Sequence, residues 1–126
     1  MTDKKQQHIL IADDEDMLRK TLTAQLEDAG YRVSTASSGE EAISLVGKEG
    51  KTIDMAILDV KMPKVDGFEV LKFLKERFPA IKAIMLTGYA DLAHATESKR
   101  RGAIDFLAKP FEIEDLLITV KRNLEK

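Results

Sequence analysis

Short apolar runs alternate with amphipathic stretches five times along the chain. The runs are HILIAD (8–13), RVSTA (32–36), DMAILD (54–59), KAIMLT (82–87) and AIDFLAK (103–109). Three of them are continuous or nearly continuous, as expected of parallel strands covered on both faces. RVSTA is more polar and fits a sheet edge. Between the runs, Leu18, Leu22, Leu26 and Ala29 share one helical face, and Gly30 stands where a C-cap belongs. Ser38-Gly39-Glu40-Glu41 reads as a capping box leading into Ala42, Leu45 and Val46. Phe68, Leu71, Leu74 and Phe78 form a third stripe, stopped by Pro79. Residues 91–101 make the weakest helix, with Leu92, Ala93 and Ala95 as its apolar residues. The last helix is strong, carrying Ile113, Leu116, Leu117, Val120 and Leu124 at helical spacing.

This alternation predicts the α/β class: a single doubly wound, five-stranded parallel sheet with helices on both faces. A dinucleotide-binding sheet would carry G-x-G-x-x-G after its first strand, where this chain has DDEDML. The flavodoxin-like strand order 2-1-3-4-5 is therefore expected. Its topological switch point, where ligands bind, lies beyond the carboxyl ends of strands one and three. With no linker, repeat or low-complexity segment, residues 1–126 read as one domain.

Composition narrows the function. A hydrophobic fraction of 44% and a charged fraction of 33% exclude a disordered chain. The net charge of −2 gives no overall pull toward nucleic acid or anionic membrane, so neither is expected as a direct partner. With no cysteine there is no disulfide, thiol catalysis or cysteine metal site, which fits a reducing compartment. The opening MTDKKQQ lacks the apolar core of a signal peptide, and no run approaches the ~20 residues that span a bilayer. Cytoplasmic is the expectation.

The polar residues then fall in one place. Asp13 and Asp14 end the first strand, Asp59 the third, Thr87 the fourth, and Lys109, followed by Pro110, the fifth. All lie on the carboxyl rim of the expected sheet. Three carboxylates there need a counter-charge, and hard oxygen ligands without His or Cys suit Mg²⁺ (or Mn²⁺). A lysine and a hydroxyl on the same rim are partners for phosphoryl oxygens. One carboxylate can act as nucleophile to give an aspartyl phosphate. Asp59, alone on the central strand, is the candidate.

The motifs ILIADDE, AILDVKMPKVDGFEV, IMLTGYA and AIDFLAKPF, in register on this pattern, resemble the receiver domain of two-component response regulators across essentially the whole chain. The resemblance implies that Asp59 accepts a phosphoryl group from a phosphohistidine on a sensor histidine kinase or histidine phosphotransfer protein. It implies that Asp14 binds Mg²⁺ directly, Asp13 through water and Lys61 through its backbone carbonyl. Thr87 and Lys109 would each hold a phosphoryl oxygen, Pro110 would follow a cis peptide, and Phe106 would be the switch aromatic. Lys61 and Tyr89 occupy positions that tune the phosphoryl lifetime. The partner beyond the kinase is either a downstream protein target or a fused output domain, and the end at KRNLEK fits both.

Plainer readings stand beside these. The acids 13–16 could be helix-capping groups only, which leaves Asp59 and Lys109 unexplained. Asp66-Gly67 reads as a turn and helix start. His8 and His94 are assigned no role, and Lys99-Arg100-Arg101 reads as a solvated helix end. A haloacid-dehalogenase-type phosphatase would also use a strand-end Asp, Mg²⁺ and a lysine. It resembles D-x-D, however, and here the second position is Lys61, so the general acid is missing. An EF-hand loop from Asp14 fails because its sixth residue is Arg19. A receiver that binds partners without phosphorylation is disfavoured by the intact Asp, Thr and Lys. The expected module is a signalling domain whose chemistry is limited to its own phosphorylation and dephosphorylation.

Overall fold

The computed structural model describes residues 6–88 and 92–125. Among them, five strands alternate with five helices. They are β1 (His8–Ala12), α1 (Asp16–Asp28), β2 (Arg32–Ala36), α2 (Gly39–Glu49), β3 (Met55–Asp59), α3 (Gly67–Arg77), β4 (Lys82–Thr87), α4 (Leu92–Arg100), β5 (Asp105–Ala108) and α5 (Ile113–Leu124). The strands form one parallel sheet in the order β2-β1-β3-β4-β5. The more polar β2 lies at an edge, as its composition suggested.

Side-chain alternation along the strands divides the core in two. Ile9, Ile11, Met55, Ile57, Ile84 and Leu86 face α1 and α5, meeting Leu22, Leu26, Leu116 and Val120. Leu10, Ala56, Leu58, Ala83 and Met85 face the other way, against Ala42 and Val46 of α2 and Val70, Leu71 and Leu74 of α3. Every residue of β1 and β3 is buried, so the central strands are fixed by apolar packing on both sides.

The helix ends follow local chemistry, with two departures from expectation. Gly30, at φ 101°, closes α1: its N–H reaches the Glu27 carbonyl and that of Tyr31 reaches Leu26. At α2 only half of the expected capping box forms. Ser38 accepts from the Glu41 N–H, but the Glu41 carboxylate reaches one residue further back, to Ser37. The complete box sits on α3, where Asp66 and Glu69 cap each other reciprocally. β5 is shorter than the apolar run suggested, because the Ala103 N–H is used to close α4 on the Ser98 carbonyl.

α4 is the shallowest helix. Of its described side chains only Ala95 and Ser98 are buried. His8, assigned no role from sequence, is a buried tie at the amino end of the sheet. Its ring nitrogens meet Ser34 Oγ at 2.7 Å and Thr52 Oγ1 at 3.1 Å, and its N–H donates to Asp54. Burial, reinforced by Arg32, holds its pKa below the ordinary value.

Gly67 fixes how α3 meets the sheet. A Cβ there would lie 2.2 Å from the Asp59 carbonyl oxygen, so only glycine admits this approach. Gly67→Ala is expected to cost about 2–3 kcal/mol of stability, the penalty of overpacking against backbone. Urea denaturation measures it, and a midpoint equal to wild type would contradict the close approach.

Candidate functional site

The rim expected from sequence is assembled by the strand ladder itself. The Asp13 N–H extends β1 by bonding the Ala36 carbonyl, and the Lys109 N–H extends β5 by bonding that of Thr87. Asp59 is the last residue of β3, beside β1, and Thr87 pairs with Ala108 at the end of β4. Asp13, Asp14 and Asp59 each present a carboxylate oxygen within 4.8 Å of the others. Asp13 and Asp59 are buried, whereas Asp14 is exposed.

Lys109 is the internal counter-charge. Its Nζ lies 3.1 Å from Asp13, 3.4 Å from Asp59 and 3.8 Å from Glu15. Partial burial alone would lower its pKa, but the carboxylates of Asp59 and Asp13 outweigh burial and hold it above the ordinary lysine value. Asp59 is not fully compensated. Burial first, and then the charge of Asp13, push its pKa up to about 6 against the opposing pull of Lys109. This donor set fits a hard divalent cation: three clustered carboxylate oxygens with no nitrogen or sulfur ligand among them, and an excess of negative charge that Lys109 leaves standing.

The other expected residues take distinct places. The Lys61 N–H donates to Asp59 Oδ1 at 3.3 Å, while its side chain is exposed. The Thr87 hydroxyl is buried and donates to the Leu107 carbonyl at 3.4 Å. Phe106 is half-buried on β5 against the core on the α2–α3 face. The Lys109–Pro110 peptide is cis. Tyr89 lies outside the described residues.

The four acids 13–16 have different neighbours. Asp13 Oδ1 accepts the Glu15 N–H at 2.8 Å, so one buried carboxylate also shapes the turn into α1. Glu15 stands at the N-cap without a side-chain capping bond, and Asp16 is exposed in the first turn. Sequence reasoning missed Arg19, which folds back to donate to the Asp13 carbonyl at 2.7 Å and to Asp16 at 2.6 Å. The i,i+3 spacing of Asp16 and Arg19 was the available signal. It also missed the ring contact of Phe68 with His94, 5.8 Å between centroids, beside a groove bordered by Asp14, Lys61 and Met62.

Residues 9–121 match the family model described as the response regulator receiver domain. The chain belongs to this family. It is 38% identical to sporulation initiation phosphotransferase F of Bacillus subtilis, with 92% of each protein covered. It is 38% identical to the sensor kinase CckA of Brucella abortus and 39% identical to the probable transcriptional regulator ycf27 of Cyanidium caldarium. The receiver spans only 12% of that kinase and 48% of that regulator. Among solved structures, a receiver domain protein from Clostridium thermocellum superposes with a TM-score of 0.89 at 34% identity, covering 94% of each chain. A CheY-like receiver from Methanospirillum hungatei gives 0.86 at 33% identity, covering 96% of this chain and 95% of that one. As a receiver, the protein is a signalling domain of two-component systems. Among the described residues, no helix is long and apolar enough to cross a membrane.

The raised Asp59 pKa has a consequence for stability. Folding favours the protonated carboxyl, so its contribution is full at low pH and is lost as pH rises from the unfolded carboxylate range through about 6. Asp59→Asn removes that penalty. In metal-free buffer the variant is expected to be more stable than wild type by on the order of 1–3 kcal/mol at about pH 8, with the gap closing toward about pH 4. Urea denaturation at the two pH values tests the sign, and a variant less stable at the higher pH would contradict it.

Proposed function

We propose that this receiver accepts a phosphoryl group on Asp59 from a phosphohistidine and uses it to switch a protein-interaction surface. The observation that carries the reading is the convergence of Asp13, Asp14, Asp59 and Lys109 on one rim, three carboxylates and one amine from three strand ends. Asp59 Oδ attacks phosphorus, an O–P bond forms, the N–P bond of the donor breaks, and the imidazole leaves with its electron pair. Asp59 holds its carboxylate for this step through the Lys61 N–H on one oxygen and Lys109 on the other.

Asp13, Asp14, Asp59 and the Lys61 carbonyl are the proposed ligands of Mg²⁺, or of Mn²⁺ in its place. The cation would neutralise the carboxylates and the incoming phosphoryl charge. Lys109 is shared between Asp13 and Asp59, so a phosphoryl oxygen would compete for a cation already on the rim. Thr87 would exchange its long bond to Leu107 for a phosphoryl oxygen, and Phe106, one strand over, would follow it inward. The shallow burial of α4, beside β4 and β5, supports this end of the molecule as the part that responds.

The donor is a sensor histidine kinase or a histidine phosphotransfer protein, in the cytoplasm. The output is a downstream protein or a domain fused to this one, and residues 1–126 are one receiver domain in either arrangement. A phosphatase reading is disfavoured because Lys61, with its side chain exposed, stands where a second aspartate would protonate the leaving group.

Incubation with acetyl phosphate followed by intact mass measurement is expected to show one phosphoryl adduct. The adduct requires Mg²⁺ and is absent from Asp59→Asn. An adduct that persists in Asp59→Asn, or forms in the presence of chelator, would sink the assignment.

A further inference from the structure

Among the described residues, Arg19 is the guanidinium that reaches under the acidic loop. It lies in the second turn of α1, yet its side chain turns back toward β1 and is only 16% exposed. Nη1 donates to the Asp13 carbonyl at 2.7 Å, and Nη2 pairs with Asp16 at 2.6 Å. Asp13 is thereby held at three acceptor atoms. Its carbonyl takes Arg19, Oδ1 takes the Glu15 N–H, and Oδ2 takes Lys109. The next residue is Asp14, whose exposed carboxylate is the most accessible member of the cluster.

We infer that Arg19 is a positioning residue for the cation site: it fixes the Asp13–Asp14 peptide so that both carboxylates face Asp59, without touching the cation itself. The inference rests on the divalent-cation reading of the cluster. A carbonyl accepting from a half-buried guanidinium is pinned in direction, and the peptide that follows it is pinned with it. Asp16 holds the other arm of the fork and keeps the guanidinium from swinging into solvent. The two-pronged donor is a property of arginine that lysine does not reproduce.

Electrostatics and positioning make opposite predictions here. Removing a cation near a cation site strengthens binding by Coulomb's law. Removing the group that orients the ligands weakens it, by about tenfold for a typical outer-shell partner. An amide chemical-shift titration of the unphosphorylated protein with Mg²⁺ separates the two. Arg19→Gln is expected to bind Mg²⁺ about tenfold more weakly, and Arg19→Lys to fall between the variant and wild type. Affinity in Arg19→Gln equal to or tighter than wild type overturns the inference, and a loss of melting temperature alone marks a merely structural residue. Should Arg19→Gln not fold, Arg19→Lys carries the test, and wild-type affinity there overturns it. Asp14→Asn serves as the control on the underlying reading. If it binds Mg²⁺ as wild type does, the cation site itself is misassigned, whatever Arg19 does.

Discussion

Everything at the carboxyl rim depends on one repulsion. β1 and β3 are neighbours, so the acids at their ends are brought together by the same backbone ladder that builds the sheet. Asp13 and Asp59 are both buried, and two buried like charges a few ångströms apart resist ionising together. Lys109 offsets part of this, but it is one amine shared among Asp13, Asp59 and Glu15. Burial first, and then what remains of this repulsion, hold the Asp59 pKa above the ordinary carboxylate value. Apolar packing above and below the central strands keeps the acids in place despite it. A cation or a transferred group that settles the imbalance is therefore met by a site already formed.

Two kinds of mechanical support surround that repulsion. On the α3 side the backbone is locked: Gly67 packs against the Asp59 carbonyl, and the Asp66–Glu69 capping box fixes the helix start. At the Thr87 hydroxyl, which ends β4, and at α4 the support is looser. The Thr87 hydroxyl makes a 3.4 Å bond, near the limit of a useful hydrogen bond, and α4 buries two small residues among its described side chains. The proposed phosphoryl group on Asp59 would meet an unyielding neighbour on one side and a yielding one on the other. The direction in which strain can relax is thus set by packing before any ligand arrives.

The strands, their order and the rim were legible in the sequence because they rest on short-range facts. A buried strand reads as an apolar run, and the residue after it sits on the rim, so Asp13, Asp59 and Thr87 could be placed without tertiary knowledge. The order followed from a missing glycine motif after the first strand. What was not legible was the choice of polar partner. Glu41 bonds Ser37 where the capping pattern names Ser38, His8 looked idle until Ser34 and Thr52 met it across the sheet, and Lys109 hydrogen-bonds both Asp13 and Asp59. Each of these is decided by where a second chain segment arrives, and periodicity carries no record of that.

Arg19 belongs to the same class of hidden information, and it shows why the acidic run resists a single explanation. A run of four acids would be costly if all four faced one cavity. The fold separates them by giving each a different neighbour. Asp13 goes inward and takes the turn amide and Lys109, Asp14 stays at the mouth, Glu15 begins the helix, and Asp16 holds Arg19 on the outside. The outermost acid thus secures the arginine that fixes the carbonyl of the innermost one. On the proposed cation reading, the helix start and the cation site would be one arrangement of the same four residues: the turn into α1 would orient the ligands, and their mutual repulsion would favour the cation.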